Sequence, residues 1–283
     1  SYHNSKSYYH YALNRAIRLL PGLIVVAIGG VIIAIISKGA SDLFQNPKQY
    51  AVLFLGQITI LQAYNPEHFR DIGVGVINGS LWTLTVEILF YFSVPIIVYL
   101  EKKFRSTVPL LTLLSFVIYS AGDILFGDII IKGKTLHEYL SLTPIVWGWM
   151  FLIGILTVKY FHHIETYINK LKYSILAIAI IAIYDGTGPL LSSSGNNIGL
   201  IYYLAYSAFI VYIAFGINFF KLKHDLSYGI YIWHMPIINL LILQSVFSSW
   251  FAIGLSFCVA VISWLCIERP MLRLKKSSLR PVQ

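Results

Sequence analysis

Two ionisable side chains sit well inside apolar runs of the chain. Glu87 lies in Leu81-Trp82-Thr83-Leu84-Thr85-Val86-Glu87-Ile88-Leu89-Phe90-Tyr91-Phe92, seven residues into its run. At 1.5 Å per residue that is about 10 Å along a helix. His234 lies in Ser227-Tyr228-Gly229-Ile230-Tyr231-Ile232-Trp233-His234-Met235-Pro236, and Pro236 withdraws a backbone N–H just beyond it. A carboxylate at such depth either meets a cation or hydrogen-bond donor on a neighbouring helix, or it acts on a substrate. A histidine beside a proline either satisfies a freed carbonyl or serves as a base near neutral pH. Glu87 and His234 are therefore the candidate catalytic groups. Trp82, Thr85, Tyr91 and Tyr228 flank them as candidate substrate or supporting contacts.

Arg15 and Arg18 form an Arg-x-x-Arg pair ahead of Pro21. Positions i and i+3 share a helix face, so both guanidiniums can point at one anion. A guanidinium fork matches phosphate oxygens bidentately. Cations at a helix end also act as topology anchors, and spacing alone does not separate the two roles. The tail Glu268-Arg269-Pro270, followed by Arg273, Lys275 and Lys276, reads mostly as an anchor. Its carboxylate, Glu268, is placed to meet Arg15 or Arg18 across a bundle. His10 and the pair His162-His163 are isolated, and no Cys or carboxylate cluster has metal-ligand spacing.

The elements that must carry these groups follow from composition. Of the 283 residues, 57% are apolar and 12% charged, against about 25% charged in soluble domains. Mean hydropathy is +0.72. The apolar runs recur along the whole length, and the 20 Tyr, 17 Phe and 6 Trp fit aromatic belts at two membrane interfaces. The net charge of +9 does not indicate a nucleic-acid partner, because the cations lie at the ends of apolar runs and form no single patch. Cys258 and Cys266, eight apart in one run, would stand about 12 Å apart on a helix, beyond disulfide reach.

A spanning helix needs about 20 mostly apolar residues. Runs near 16–36, 81–100, 107–126, 143–161, 173–184, 198–219, 226–247 and 249–267 are the eight candidates. The shorter run from Tyr50 to Gln62 is interrupted by Gly56 and Gln57. With the N-terminus cytoplasmic and only the eight longer runs crossing, 16 of the 21 Lys and Arg fall on the cytoplasmic side. Lys38, Lys48, Arg70, Lys132 and Lys134 fall outside. Letting the 50–62 run cross would invert every later segment and destroy that bias. The expectation is an all-α polytopic bundle with about eight spanning helices, both termini of this chain cytoplasmic. The 50–62 segment is re-entrant or interfacial, inside a long external stretch, 37–80. The turn-rich stretch 185–197 is a second external loop. The whole chain, 1–283, is expected to form one membrane-embedded domain.

Four segments, in order, resemble the acyltransferase-3 family of bacterial inner-membrane O-acyltransferases. Tyr8-Tyr9-His10-Tyr11 through Arg15-Ala16-Ile17-Arg18-Leu19-Leu20-Pro21 is similar to the family's aromatic, Arg-x-x-Arg-x-x-Pro start of its third helix. Leu53-Phe54-Leu55-Gly56-Gln57 is similar to its short LFLQN run. Leu81-Trp82-Thr83-Leu84-Thr85-Val86-Glu87 through Phe90-Tyr91 is similar to its tryptophan–glutamate signature. Ser227-Tyr228-Gly229-Ile230-Tyr231 to His234 and Pro236, then Glu268-Arg269-Pro270, completes the set. The likeness covers essentially the whole chain. It departs at the start: family members begin with two further helices, the first bearing an Arg and a His taken as essential, and neither helix is in these 283 residues.

The resemblance implies transfer of an acyl group, acetyl above all, from cytoplasmic acyl-CoA to a carbohydrate hydroxyl of the cell envelope or outside the cell. The setting it implies is the bacterial cytoplasmic membrane, with no permanently bound cofactor. Arg15 and Arg18 would dock the anionic nucleotide, Glu87 would open toward the external half where the acceptor approaches, and the base is expected in the helices upstream. Two other readings stand beside it. A half-crossing segment, a Pro-kinked helix and intramembrane Glu and His also suit a transporter or flippase of a polysaccharide precursor. The third is an inactive truncated remnant.

Overall fold

The structure is a computed structural model that describes residues 8–184, 188–193, 197–217 and 225–278, the last five by backbone alone. In chain order its helices are α1 (Tyr8–Lys38), α2 (Ala40–Gln45), α3 (Pro47–Ile58), α4 (Trp82–Lys103), α5 (Thr107–Phe126), α6 (Leu136–Leu140) and α7 (Pro144–Lys159). Then follow α8 (Phe161–Glu165), α9 (Ser174–Tyr184), α10 (Gly188–Leu191), α11 (Leu200–Val211), α12 (Ser227–Leu243), α13 (Ser249–Ser263) and α14 (Arg269–Ser278). Strands β1 (Ile130–Ile131) and β2 (Lys134–Thr135) pair as a short antiparallel hairpin. The eight apolar runs are helical in α1, α4, α5, α7, α9, α11, α12 and α13. Four stretches, Tyr8–Lys38, Gly79–Lys103, Thr107–Phe126 and Ser249–Arg273, are each long and apolar enough to cross a bilayer. Their outer faces carry exposed Ile28, Ile32, Ile36 and Ile124, apolar surface that suits lipid and not water. The chain is a multi-pass helical membrane protein. Both cysteines are free.

The helices gather into two compact units, Ser1–Ile96 with His224–Gln283, and Ile97–Lys223. In the second unit α5 packs along α7. Ser115 on α5 donates to Ile145 O at 2.8 Å and accepts from Trp149 N at 2.9 Å, so one hydroxyl ties the two helices. Trp149 is fully buried, its ring 5.3 Å from Phe116, 5.3 Å from Tyr119 and 4.9 Å from Tyr203. Glu101 accepts from Val108 N at 2.9 Å in the first turn of α5 and pairs with Lys159 at the end of α7. The turn-rich stretch 185–197 falls partly outside the described residues.

In the first unit, α1 packs against α3 and α12. Gly22 allows the second contact: a Cβ there would lie 2.7 Å from the Tyr228 ring and 3.1 Å from Ile232. The 50–62 run is short, in keeping with a re-entrant or interfacial segment. α3 has 12 residues, about 18 Å of helix, well short of a 30 Å hydrocarbon core. The chain then reverses, so that Gly56 approaches Leu61 O and Tyr64 O. Its exit is pinned to its own entrance. Asp42 ahead of α3 accepts from His68 Nε2, Tyr50 OH and Asn46 Nδ2, each at 2.8 Å. Lys38 closing α1 pairs with Asp71 at 2.6 Å. The His68 hydrogen bond, ahead of those from Tyr50 and Asn46, holds the Asp42 carboxyl below its ordinary 3.8. The Lys38 bond does the same for Asp71.

The returning segment is fastened to α12 by side chains. Asn239, fully buried, accepts from Val74 N at 2.9 Å and donates to Val76 O at 2.8 Å and Ile77 O at 2.9 Å. Gly73, at φ +55°, lies directly against the Asn239 amide, leaving no room for a side chain. Pro236 cannot bond back to the carbonyl four residues earlier, Ile232 O. Asn78 Nδ2 takes that carbonyl at 2.9 Å.

Candidate active site

α1 and α4 enclose a cavity of about 220 Å³ lined chiefly by Tyr8, Tyr11, Arg15, Leu19, Ile88 and Tyr91. Arg15 is its half-buried cation. The Arg15 guanidinium carbon stands 4.5 Å from the Tyr91 ring centroid and 5.6 Å from that of Tyr11, within cation–π range. Arg15 Nη1 reaches Tyr91 OH at 3.5 Å. Tyr11 and Tyr91 meet edge to face at 6.3 Å, so the two rings form a clamp. Tyr91 OH in turn donates to Glu87 Oε1, one turn back on α4. Arg15, Tyr91 and Glu87 are thus one connected chain across two helices. Glu87 stands one hydrogen bond from the ring that clamps Arg15 and is not itself among the residues lining the cavity. It also lies within electrostatic reach of Tyr11, Tyr228 and Tyr231.

Arg18 takes a different partner. Its Nη2 pairs with Asp225 Oδ2 at 2.9 Å, with 47% and 51% of the two side chains exposed. The two arginines therefore divide between a half-buried cavity and an exposed ion pair, and do not converge on one group in this structure. Asp225 also accepts from Ser227 Oγ at 2.6 Å at the start of α12. Tyr228 OH donates to Leu19 O at 2.7 Å, one turn beyond Arg15. Glu268 is 6% exposed at the end of a π-turn, Trp264–Glu268, where it accepts from Ser263 Oγ at 3.1 Å. It lies within electrostatic reach of Arg18, whose ion pair is with Asp225.

His234 is not brought to this cluster. Its Nδ1 lies 2.7 Å from Tyr231 O and, the partner being a carbonyl, carries the proton of that bond. The ring lines a separate cavity of about 350 Å³ between α12 and α13, with Ile230, Ile238, Ser256 and Phe257. Trp82 opens α4. Thr85, on another face of α4 from Glu87, donates to Gln62 Oε1 at 3.4 Å. Asp225 and Asn239 of this polar interior escaped the sequence reading, which took Gln57 only as an interruption of its run and Gln62 only as the end of it. Asp225 carried the signature of an acid just ahead of a helix start. Asn239, Gln57 and Gln62 carried that of a polar side chain in an apolar run.

No solved structure matches the chain. Nodulation protein 10 of Rhizobium leguminosarum bv. viciae is similar, at 25% identity over 98% of this chain and 79% of the relative. The family model described as "Acyltransferase domain" matches residues 1–269. With that match over nearly the whole chain, and the Arg15–Tyr91–Glu87 cluster on the segments that resemble the family's motifs, the chain belongs to the acyltransferase-3 family.

Proposed function

We propose that this protein transfers an acyl group, acetyl in the simplest case, from cytoplasmic acyl-CoA to a hydroxyl of a cell-envelope or extracellular carbohydrate. It does so in the bacterial cytoplasmic membrane with both termini of this chain cytoplasmic. The observation that carries the reading is Arg15, a half-buried guanidinium clamped by Tyr11 and Tyr91 in the wall of a largely apolar cavity. A cation held in an apolar-walled recess suits a ligand that is anionic at one end and uncharged along the rest, which describes an acyl-CoA. Arg18, exposed nearby, is a second phosphate ligand once it leaves Asp225. In the transfer, the acceptor oxygen attacks the thioester carbonyl. A C–O bond forms, the C–S bond breaks, the hydroxyl proton passes to a base, and the sulfur leaves as thiolate and is protonated to the thiol. Glu87, hydrogen-bonded to Tyr91, orients the acceptor hydroxyl or the base that takes its proton. The carbohydrate acceptor is carried over from the family. In the full-length protein, Arg15→Ala should abolish acetyl transfer while leaving membrane insertion intact. Wild-type acetylation by that variant would sink the docking role.

A further inference from the structure

We infer that Asp225 is a resident competitor for the donor's diphosphate: its carboxylate occupies Arg18, the second arginine of the docking pair, and gives that arginine up when a diphosphate bridges Arg15 and Arg18. This rests on the donor-docking reading of Arg15 and extends it to the control of the same site. The ion pair joins two distant stretches of one unit, α1 and the residues just ahead of α12. Arg18 Nη2 meets Asp225 Oδ2 at 2.9 Å, and roughly half of each side chain is exposed. An exposed ion pair is weak, because water screens it and two side chains are immobilised to hold it. A phosphate has more oxygens than a carboxylate to meet a guanidinium fork. It therefore takes Arg18 from Asp225 at small cost, where a buried pair would not yield.

The two oxygens of Asp225 have different partners. Oδ1 accepts from Ser227 Oγ at 2.6 Å and from Ser227 N at 3.3 Å, so it holds the first turn of α12. Oδ2 meets Arg18. Release of the arginine thus leaves the start of α12 intact. Tyr228 OH, donating to Leu19 O at 2.7 Å, keeps that start beside α1 whether or not the ion pair is made. Glu268 also lies within electrostatic reach of Arg18, but it is buried and bonded to Ser263. Asp225 is the exposed acid that an incoming phosphate meets.

Arg18 is three residues beyond Arg15, about 4.5 Å along α1, and side chains at that spacing are surface neighbours. Both guanidiniums lie within electrostatic reach of Tyr91, the ring that clamps Arg15. The two phosphates of a diphosphate share one bridging oxygen, a span that two flexible arginines one turn apart cover. Coenzyme A carries such a diphosphate before and after the acyl group leaves. A grip on it is therefore uniform: it favours donor, transition state and product alike and does not speed the chemical step. A carboxylate competing for Arg18 limits that grip and assists release of the product. The site takes a donor with two adjacent phosphates, and Asp225 sets how tightly either form is held.

The test is steady-state transfer by the full-length protein in native membranes, using acetyl-CoA, acetyl-dephospho-CoA and acetyl-pantetheine. Asp225→Asn keeps an acceptor oxygen for Ser227 and removes the charge. It should lower KM for acetyl-CoA by about threefold, the worth of an exposed ion pair, and tighten inhibition by coenzyme A by the same factor. Asp225→Ser, which keeps a capping oxygen, should repeat the effect and guards against misfolding. Acetyl-dephospho-CoA, which retains the diphosphate, should respond equally; acetyl-pantetheine, which has no phosphate, should not respond. Arg18→Ala should raise KM for acetyl-CoA, and in that background Asp225→Asn should change nothing, since the pair it breaks is already gone. An unchanged KM for acetyl-CoA in both Asp225 variants overturns the competition and leaves Asp225 as the cap of α12. An equal fall for acetyl-pantetheine, or a fall that persists in the Arg18→Ala background, also overturns it. A fall seen with acetyl-CoA and absent with acetyl-dephospho-CoA overturns the diphosphate bridge and gives Arg18 to the ribose phosphate. An Arg15→Ala variant with normal KM for acetyl-CoA sinks the docking reading, whatever Asp225 does.

Discussion

The unit Ile97–Lys223 and the unit Ser1–Ile96 with His224–Gln283 use buried polar groups differently. Of the ten buried polar or charged side chains among the described residues, Ser115 and Ser192 belong to the former and the other eight to the latter. Ser115 is a hydroxyl tying neighbouring helices around an aromatic core centred on Trp149. Gln57, Gln62, Asn78, Thr85, Asn239 and Glu268 are larger and costlier to bury, and all but Glu268 lie in the 50–78 stretch or bond to it. On the proposed reading, the difference separates a unit built for packing from one built to hold a ligand. It predicts that damage to the first appears as lost stability and damage to the second as lost binding.

The largest effect should come from Trp149→Ala. Truncating a fully buried tryptophan costs about 3–5 kcal/mol, read as a lowered thermal midpoint in detergent. The protein that survives should keep a normal donor KM; a raised one would erase the distinction between the units. Asn239→Leu comes next. It leaves Val74 N, Val76 O and Ile77 O unpaired and removes the fastening of the returning segment. A loss of about 2 kcal/mol is expected, with amide exchange over residues 59–78 rising more than elsewhere. Uniform exchange would show that Asn239 does not govern that segment. The smallest effect is at the outer latch. The folded Asp42 carboxyl titrates below its ordinary 3.8, so its contribution is fully present above about pH 4 and is lost as pH falls through the folded value. Between neutral pH and about pH 3, the wild-type thermal midpoint should fall further than that of Asp42→Asn. Parallel falls would remove the latch.

Much of the architecture could be read from hydropathy and cation placement. Each of the eight apolar runs is a helix. The 50–62 run was set apart by Gly56, Gln57 and a charge bias that a crossing would destroy, and Asp42–His68 and Lys38–Asp71 close it at one end. The site was readable as a set of residues but not as a set of pairs. Arg-x-x-Arg spacing puts two guanidiniums on one face. It does not disclose that Asp225, 207 positions away from Arg18, takes one while a tyrosine clamp takes the other. Glu268 looked free to meet either arginine, yet a π-turn gives it Ser263. His234 and Glu87 looked alike as lone ionisable groups in apolar runs. Only helix rotation separates them, placing His234 against α13 and Glu87 against Tyr91.

The central claim is that Arg15 holds an acyl-CoA in the α1–α4 cavity. The most direct measurement is the thermal midpoint of the purified full-length protein with and without coenzyme A, for wild type and Arg15→Ala. Binding to the folded state raises the midpoint by mass action. The account predicts a concentration-dependent rise for wild type and none for Arg15→Ala. Equal stabilisation of both proteins, or none of wild type at saturating coenzyme A, would contradict it.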